Sequence, residues 1–217
     1  MTHPVTILIA TGNPGKAREI EAVLTPPRAE SPADGPPVRW MTLKDIGRDI
    51  PEPDEDGLTF ADNAALKARY YSRATGLWTL ADDSGLEVDA LGGDPGVRSA
   101  RYSDDLPENA PREIRDPANN AKLIRLLAGV SDEMRTARFR CSLALADGDR
   151  ILATADGAIE GRIIDTPRGQ NGFGYDPHFL VESLNQTTAE IDPALKNQIS
   201  HRGQALRVMC ETLKRLL

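Results

Sequence analysis

Residues 5–10, VTILIA, are apolar almost without interruption and rich in β-branched side chains, the pattern of a strand buried on both faces. The next stretch, NPGKAREIEAVL, changes to helical spacing, with Ala17, Ile20 and Leu24 recurring on one side and Val23 beside them. Asn13 is placed to cap this helix and Pro14 to occupy its first position. A second helix is predicted over 57–76, GLTFADNAALKARYYSRATG, with Thr59 as cap, Asp62 in the capping-box place and Gly76 as the stop. Ala61, Ala64, Ala65 and Ala68 form a small-residue stripe on it. LWTLA (77–81) reads as a short strand that ends at DDSG, and 118–130 as a helix with Leu123, Leu126 and Leu127 on one face. Residues 137–147 alternate cleanly through Phe139, Cys141, Leu143 and Leu145, as in a half-buried strand. Turn signals at DGD (147–149) and ADG (155–157) predict an antiparallel meander. A last amphipathic helix carries Leu206, Met209, Leu213 and Leu216. Strands and helices mix without strict alternation, which predicts an α/β fold with a mixed sheet.

Composition narrows the picture. A chain of 217 residues supports one substantial core, and 40% hydrophobic with 27% charged residues is ordinary globular usage. The net charge of −7 speaks against a nucleic-acid polymer as partner, yet leaves room for a small anion held by local basic loops. Two distant cysteines suggest no disulfide framework, no stretch reaches the roughly 18 apolar residues of a membrane span, and no cleavage pattern opens the chain. A soluble cytoplasmic protein without membrane partners is expected. Residues 25–39, rich in proline and small polar residues, read as a surface insertion.

Several stretches carry candidate chemistry. TGNPGK (11–16) joins a strand to a helix through glycines and brings a lysine one turn in. Its spacing is not that of the common P-loop, because only Asn13 and Pro14 separate Gly12 from Gly15 and Ala17 follows the lysine. Helix-start N–H groups and Lys16 still favour an anion, although a plain strand-to-helix turn has the same composition. Asp82 and Asp83 are adjacent carboxylates that invite a compensating cation such as Mg2+, the alternative being an acidic turn. Upstream, PEPDEDG (51–57) holds Glu52, Asp54, Glu55 and Asp56, mostly a solvated helix approach with room for one metal ligand. NGFGYDPHF (171–179) can lay Phe173 or Tyr175 on a flat ring, or simply turn the chain. Lys196, His201 and Arg202 cluster in sequence before the last helix as a second recogniser of anions or carbonyls. Together these suit a nucleoside polyphosphate with Mg2+.

TGNPGK, GLTFADNA, ADDSGLEVDALGGDPGVRSARYS, NGFGYDPHF and ISHRGQAL, in this order along the whole chain, closely resemble the inosine/xanthosine triphosphate pyrophosphatases. The resemblance implies one domain over 1–217 with two lobes, a long central mixed sheet flanked by helices, and an active-site cleft between the lobes. It implies a homodimer and Mg2+-dependent hydrolysis of non-standard purine nucleoside triphosphates (ITP, dITP, XTP) to the monophosphate and pyrophosphate. By this likeness Thr11, Gly12, Asn13, Pro14, Gly15 and Lys16 form the substrate-phosphate loop, and Asp83 is the general base and a metal ligand. Ser84 is a neighbouring substrate contact, and Phe173, Gly174, Tyr175 and Asp176 form the base-binding turn. Lys196, His201 and Arg202 supply the remaining contacts, and the upstream metal acid falls on Asp54, with Glu55 next to it as the other choice. Two other readings are a nucleotide-binding or sensing module without turnover, and a pyrophosphatase for another modified nucleoside triphosphate.

Overall fold

The computed structural model describes residues 4–24, 38–107 and 110–217. Most of the proline-rich insertion, 25–37, lies outside the described residues, while Val38 and Arg39 already belong to a strand. The elements that matter for function are β1 (Val5–Ala10), α1 (Pro14–Leu24), β2 (Val38–Thr42), α2 (Phe60–Thr75), β3 (Trp78–Val88) and α3 (Arg112–Leu126). They continue with β4 (Thr136–Asp147), β5 (Arg150–Ile163), β6 (Phe179–Val181), β7 (Gln186–Thr187), α4 (Pro193–Ile199) and α5 (His201–Leu216). The strands form one open seven-stranded sheet in the order β2-β1-β3-β4-β5-β6-β7, flanked by helices. β1 pairs in parallel with β2 and β3, whereas β5, β6 and β7 pair antiparallel, so the sheet is mixed as the sequence predicts. Among the described residues no helix is long and apolar enough to cross a membrane.

Two compact units divide the chain, the first from 1–83, 141–157 and 201–217, the second from 84–140 and 158–200. In the first, the alternation of β1 sorts its side chains onto two packing faces. Ile7 and Ile9 pack with Ile20 of α1 and with Leu206, Met209 and Leu213 of α5. Leu8 and Ala10 pack instead with Ala64, Ala68 and Tyr71 of α2. The strand is thus buried on both faces. In the second unit Leu86, Phe139, Ile159, Phe179 and Leu123 share a core, with the rings of Phe139 and Phe179 centred 4.5 Å apart.

Helix ends follow the predicted capping. Asn13 Oδ1 accepts the N–H groups of Gly15 and Lys16 at 2.9 and 3.3 Å, and Thr59 Oγ1 accepts that of Asp62 at 3.1 Å. Gly76 closes α2 in the left-handed conformation at φ 71°.

Other expectations are corrected. β3 does not stop before DDSG but runs through it to Val88, because each acid finds a cation of its own and neither needs a turn. α3 starts at Arg112, six residues before the predicted start at 118, and takes Pro117 into its interior. Leu126 and Leu216 are exposed, outside the apolar stripes predicted for them, and so is Ala61. β4 is half-buried only in its first part, since Cys141–Ala146 is buried on both faces. The ADG at 155–157 makes no turn and lies within β5. Its glycine serves a close approach: a Cβ on Gly157 would stand 2.1 Å from the His201 carbonyl oxygen and 2.8 Å from the Ala205 nitrogen.

Both of those neighbours are backbone and cannot swing aside. Gly157→Ala is therefore expected to cost about 2 kcal/mol of overpacking strain. That corresponds to a melting temperature lowered by roughly 4–8 °C, read by calorimetry. An unchanged melting temperature would show that α5 yields freely at this contact.

Candidate active site

In the first unit the phosphate-type loop lies between β1 and α1 because two signals meet there, a buried strand end and an Asn-Pro helix start. Thr11 Oγ1 accepts the N–H of Asn13 at 3.2 Å. With Asn13 Oδ1 spent on the cap, its Nδ2 is buried without a hydrogen-bond partner among the described residues. A buried amide donor left over beside helix-start N–H groups suits an anion. A Cβ on Gly12 would stand 1.7 Å from a carboxylate oxygen of Glu52, an exposed side chain whose end can swing aside.

Asp82 and Asp83 follow one another in β3, so strand alternation sends their side chains to opposite faces. Asp82 faces α1 and α5. Lys16 Nζ lies 3.2 Å from its Oδ2, and Arg202 donates to the same oxygen from Nε and Nη2 at 3.3 Å each. Arg202 is 2% exposed, and its Nη1 pairs with Glu19 of α1. Burial works to raise the Asp82 carboxyl, but Lys16, Arg202 and Lys67 outweigh it and hold the group well below the usual carboxylate range. Cys141 is close by, and burial, then the charge of Asp82, pushes its thiol up to about 12, so it is no nucleophile.

Asp83 faces α2. Lys67 donates to its Oδ1 at 2.9 Å and Asn63 Nδ2 to its Oδ2 at 3.3 Å. Lys67 also reaches Glu55 at 3.0 Å, so one ammonium bridges two carboxylates. Desolvation pulls against the ammonium of Lys67, yet Asp83, Asp82 and Glu55 together raise it above its ordinary value. Burial is the largest influence on Asp83 and raises its carboxyl; Glu55 acts in the same sense against Lys67 and Lys16. Asp54, the acid that the sequence places first in line for the metal, is exposed.

Sequence reasoning missed Lys67, Asn63 and Glu19. The signal was present for the first two: they are polar residues one turn apart on the buried face that carries Ala64 and Ala68. His201 opens α5 and is buried.

The second unit holds the aromatic turn. Gly172 and Gly174 adopt φ 77° and 60° on either side of Phe173, a conformation that favours glycine. Asp176 organises the turn: its Oδ2 accepts the Phe173 N–H at 2.8 Å and Lys196 Nζ at 2.6 Å, and its Oδ1 accepts the Thr188 hydroxyl at 2.8 Å. Lys196 belongs to α4 and joins this turn, so the basic trio predicted at the last helix start is divided by a helix break at Ser200. Lys196 Nζ also lies 5.4 Å from the centre of the Phe173 ring. The Tyr175 hydroxyl donates to the Ser99 carbonyl at 2.8 Å, and burial raises it well above its ordinary range. Ser84 is half-buried at the start of this unit.

Asp82 and Arg202 form a buried pair whose members depend on each other. Arg202→Ala is expected to cost about 3–5 kcal/mol of stability in denaturant unfolding, because it strips the buried Asp82 carboxylate of one of its two direct counter-ions. A loss below about 1 kcal/mol would show that Lys16 alone satisfies Asp82.

The chain matches the Ham1 family over residues 7–212. It is 47% identical to a dITP/XTP pyrophosphatase of Bacillus licheniformis, across 95% of this chain and 97% of that one. It is 48% identical to a dITP/XTP pyrophosphatase of Geobacter sulfurreducens, across 95% and 96%. The solved structure of a HAM1 protein from Coxiella burnetii superposes with a TM-score of 0.80 at 38% identity, covering 97% of this chain and 99% of that one. With a phosphate-type loop, a lysine-bridged carboxylate and an aromatic glycine turn set in such a sheet, the chain belongs to the Ham1 family.

Proposed function

We propose that the protein hydrolyses non-standard purine nucleoside triphosphates (ITP, dITP, XTP) to the nucleoside monophosphate and pyrophosphate, clearing them from the nucleotide pool. The observation that carries this reading is the bridge Glu55–Lys67–Asp83, in which a buried carboxylate shares one ammonium with a second acid. The relatives named dITP/XTP pyrophosphatase support the substrate class.

The donor set fits Mg2+. Among the described residues no three His, Cys, Asp or Glu side chains converge as a metal-binding group. Mg2+, however, asks for only one or two carboxylates and takes its other ligands from phosphates and water. Asp83 and Glu55 are such a pair, and their sharing of one ammonium marks a place already suited to positive charge. We assign the upstream ligand to Glu55 rather than Asp54. When bound, Mg2+ neutralises phosphate charge and polarises the phosphoryl oxygens.

The chain's own residues do the rest. The loop N–H groups, Asn13 Nδ2 and Lys16 hold the phosphates. Lys67 and Asn63 fix both oxygens of Asp83, so that it receives a proton from a water attacking the α-phosphorus. The new P–O bond forms as the bond to the bridging oxygen breaks, and pyrophosphate leaves with that electron pair. Phe173 and its turn receive the base. His201 and Arg202 are the donors proposed for the base carbonyl, Arg202 as a guanidinium kept rigid by two carboxylates. A site that expects a carbonyl rejects an amino group strongly, because a mismatched buried donor stays unpaired. Both units serve this one activity, so 1–217 is proposed as one functional domain, acting in the cytoplasm as a homodimer.

A panel of nucleoside triphosphates, with pyrophosphate and monophosphate quantified for each, tests the reading. Inosine and xanthosine triphosphates are expected to exceed ATP and GTP by orders of magnitude in kcat/KM, with turnover lost in EDTA and restored by Mg2+. Equal turnover of all purines, or release of inorganic phosphate instead of pyrophosphate, would sink it. Asp83→Asn is expected to lower kcat by about 10²–10⁴ with folding intact, and near-normal turnover would move the base elsewhere. Glu55→Gln is expected to raise the Mg2+ concentration needed for half-maximal rate well above that of Asp54→Asn; the reverse order would restore Asp54 as the ligand.

A further inference from the structure

One face of α3 is given over to the aromatic turn. Arg112, Asp116 and Asn120 stand four residues apart and so share one side of the helix. Each meets the turn through a different interaction. The Arg112 guanidinium lies 5.5 Å from the centre of the Phe173 ring. Asp116 Oδ2 accepts the N–H of Gly174 at 3.0 Å, and Asn120 Nδ2 donates to the carbonyl of the same glycine at 3.0 Å. We infer that this face of α3 sets the shape of the base-binding turn, and that Asp116 and Asn120 are positioning residues for base recognition. The inference rests on the functional reading above, in which Phe173 and its neighbours receive the purine.

The physical case starts from the glycines. Two left-handed glycines around Phe173 leave that segment more freedom than any other residue pair would, and ordering it must be offset by fixed partners. Asp176 holds the first half of the turn through the Phe173 N–H. Within the turn the Phe173 carbonyl accepts the Asp176 N–H at 3.2 Å, and α3 adds a grip on Gly174 itself, taking the N–H on one side of the residue and the carbonyl on the other. A Cβ on Gly174 would meet nothing within 4 Å, so its conformation is not set by crowding, and the two hydrogen bonds from α3 are direct restraints on it.

α3 is itself a firm platform. Asn119, buried on the neighbouring face, donates to the carbonyls of Ser99 and Ala100 and accepts the Ser103 N–H at 2.7 Å. Leu123 anchors the helix in the core. Farther along the helix Leu123 and Ile124 pack against the core, whereas Arg112, Asp116 and Asn120 spend their polar groups on the turn. A ring held at a set height and angle stacks on one base and crowds another, which makes the clamp a determinant of affinity and preference.

The test uses the full-length protein and the variants Asp116→Ala, Asn120→Leu and Asp116→Asn. Contacts to the base are made alike in ground and transition states, so losing their alignment raises KM more than it lowers kcat. Asp116→Ala and Asn120→Leu are expected to raise KM for inosine triphosphate about tenfold, the effect of one lost hydrogen bond, with kcat changed by no more than about twofold. Discrimination against GTP should fall in the same variants. Asp116→Asn keeps an acceptor oxygen for the Gly174 N–H and is expected to return KM towards the parent value. Inorganic tripolyphosphate, which has no base, should inhibit all variants equally. Unchanged KM and discrimination with only a lower melting temperature would overturn the inference, as would a loss of tripolyphosphate inhibition parallel to the change in KM. If Asp116→Ala does not fold, Asn120→Leu carries the same readout. Parent turnover separates the two levels. A parent protein that cleaves no purine triphosphate overturns the functional reading and this inference together, whereas an active parent with unaffected variants overturns this inference alone.

Discussion

The alternation of side chains along β3 is the constraint on which the first unit depends. Two consecutive aspartates on a helix or in a turn would compete for one cation. On a strand they part to opposite faces, and the sequence equips each face separately. Asp82 receives Lys16 from α1 and Arg202 from α5, and becomes a buried staple between strand and helices. Asp83 receives Lys67 and Asn63 from α2, one on each carboxylate oxygen. One neighbour pair in sequence thus meets two different sets of cations, Lys16 and Arg202 on one face and Lys67 on the other. The phosphate-type loop joins both, since its lysine is a partner of the structural acid.

Much of this was legible in the sequence, for reasons that can be named. β1, α1 and α2 were predicted from apolar periodicity and caps, signals that are local and that tertiary contacts reinforced. DDSG and ADG misled because Asp, Ser and Gly are turn formers when water is the only partner. In the fold, DDSG is held extended by ammonium and guanidinium groups distant in sequence, and Gly157 is there to admit the backbone of α5. The helix predicted from 118 begins earlier, at Arg112, and side chains that flank Pro117 tie it to Gly174 and to Ser99.

The chemistry-bearing residues divide along similar lines. Glycine-lysine and glycine-aromatic motifs announce themselves, and their members are found in the loop and the turn that the sequence suggests. Lys67 did not, because a lone lysine in an alanine-rich helix reads as solvated until its face is known. The acid that pairs with it, Glu55, could not be told from Asp54 by spacing, and only the direction of the chain before α2 separates a bridged carboxylate from an exposed one. Lys196 was read with His201 and Arg202 by proximity in sequence, while the break at Ser200 gives it to the aromatic turn.

The reach of Arg202 has a consequence for the birth of the molecule. It meets Asp82 across 120 positions of chain, and Gly157 also waits for the backbone of α5. While the ribosome is still translating the intervening segments, β3 therefore carries a carboxylate that has Lys16 near it but lacks its second counter-ion, Arg202. The nascent first unit is an electrostatic half-circuit that α5 closes. A chain arrested before α5 would carry the glycine loop and Asp83, yet lack the helix whose Leu206, Met209 and Leu213 cover β1 and whose Arg202 completes the pairing of Asp82.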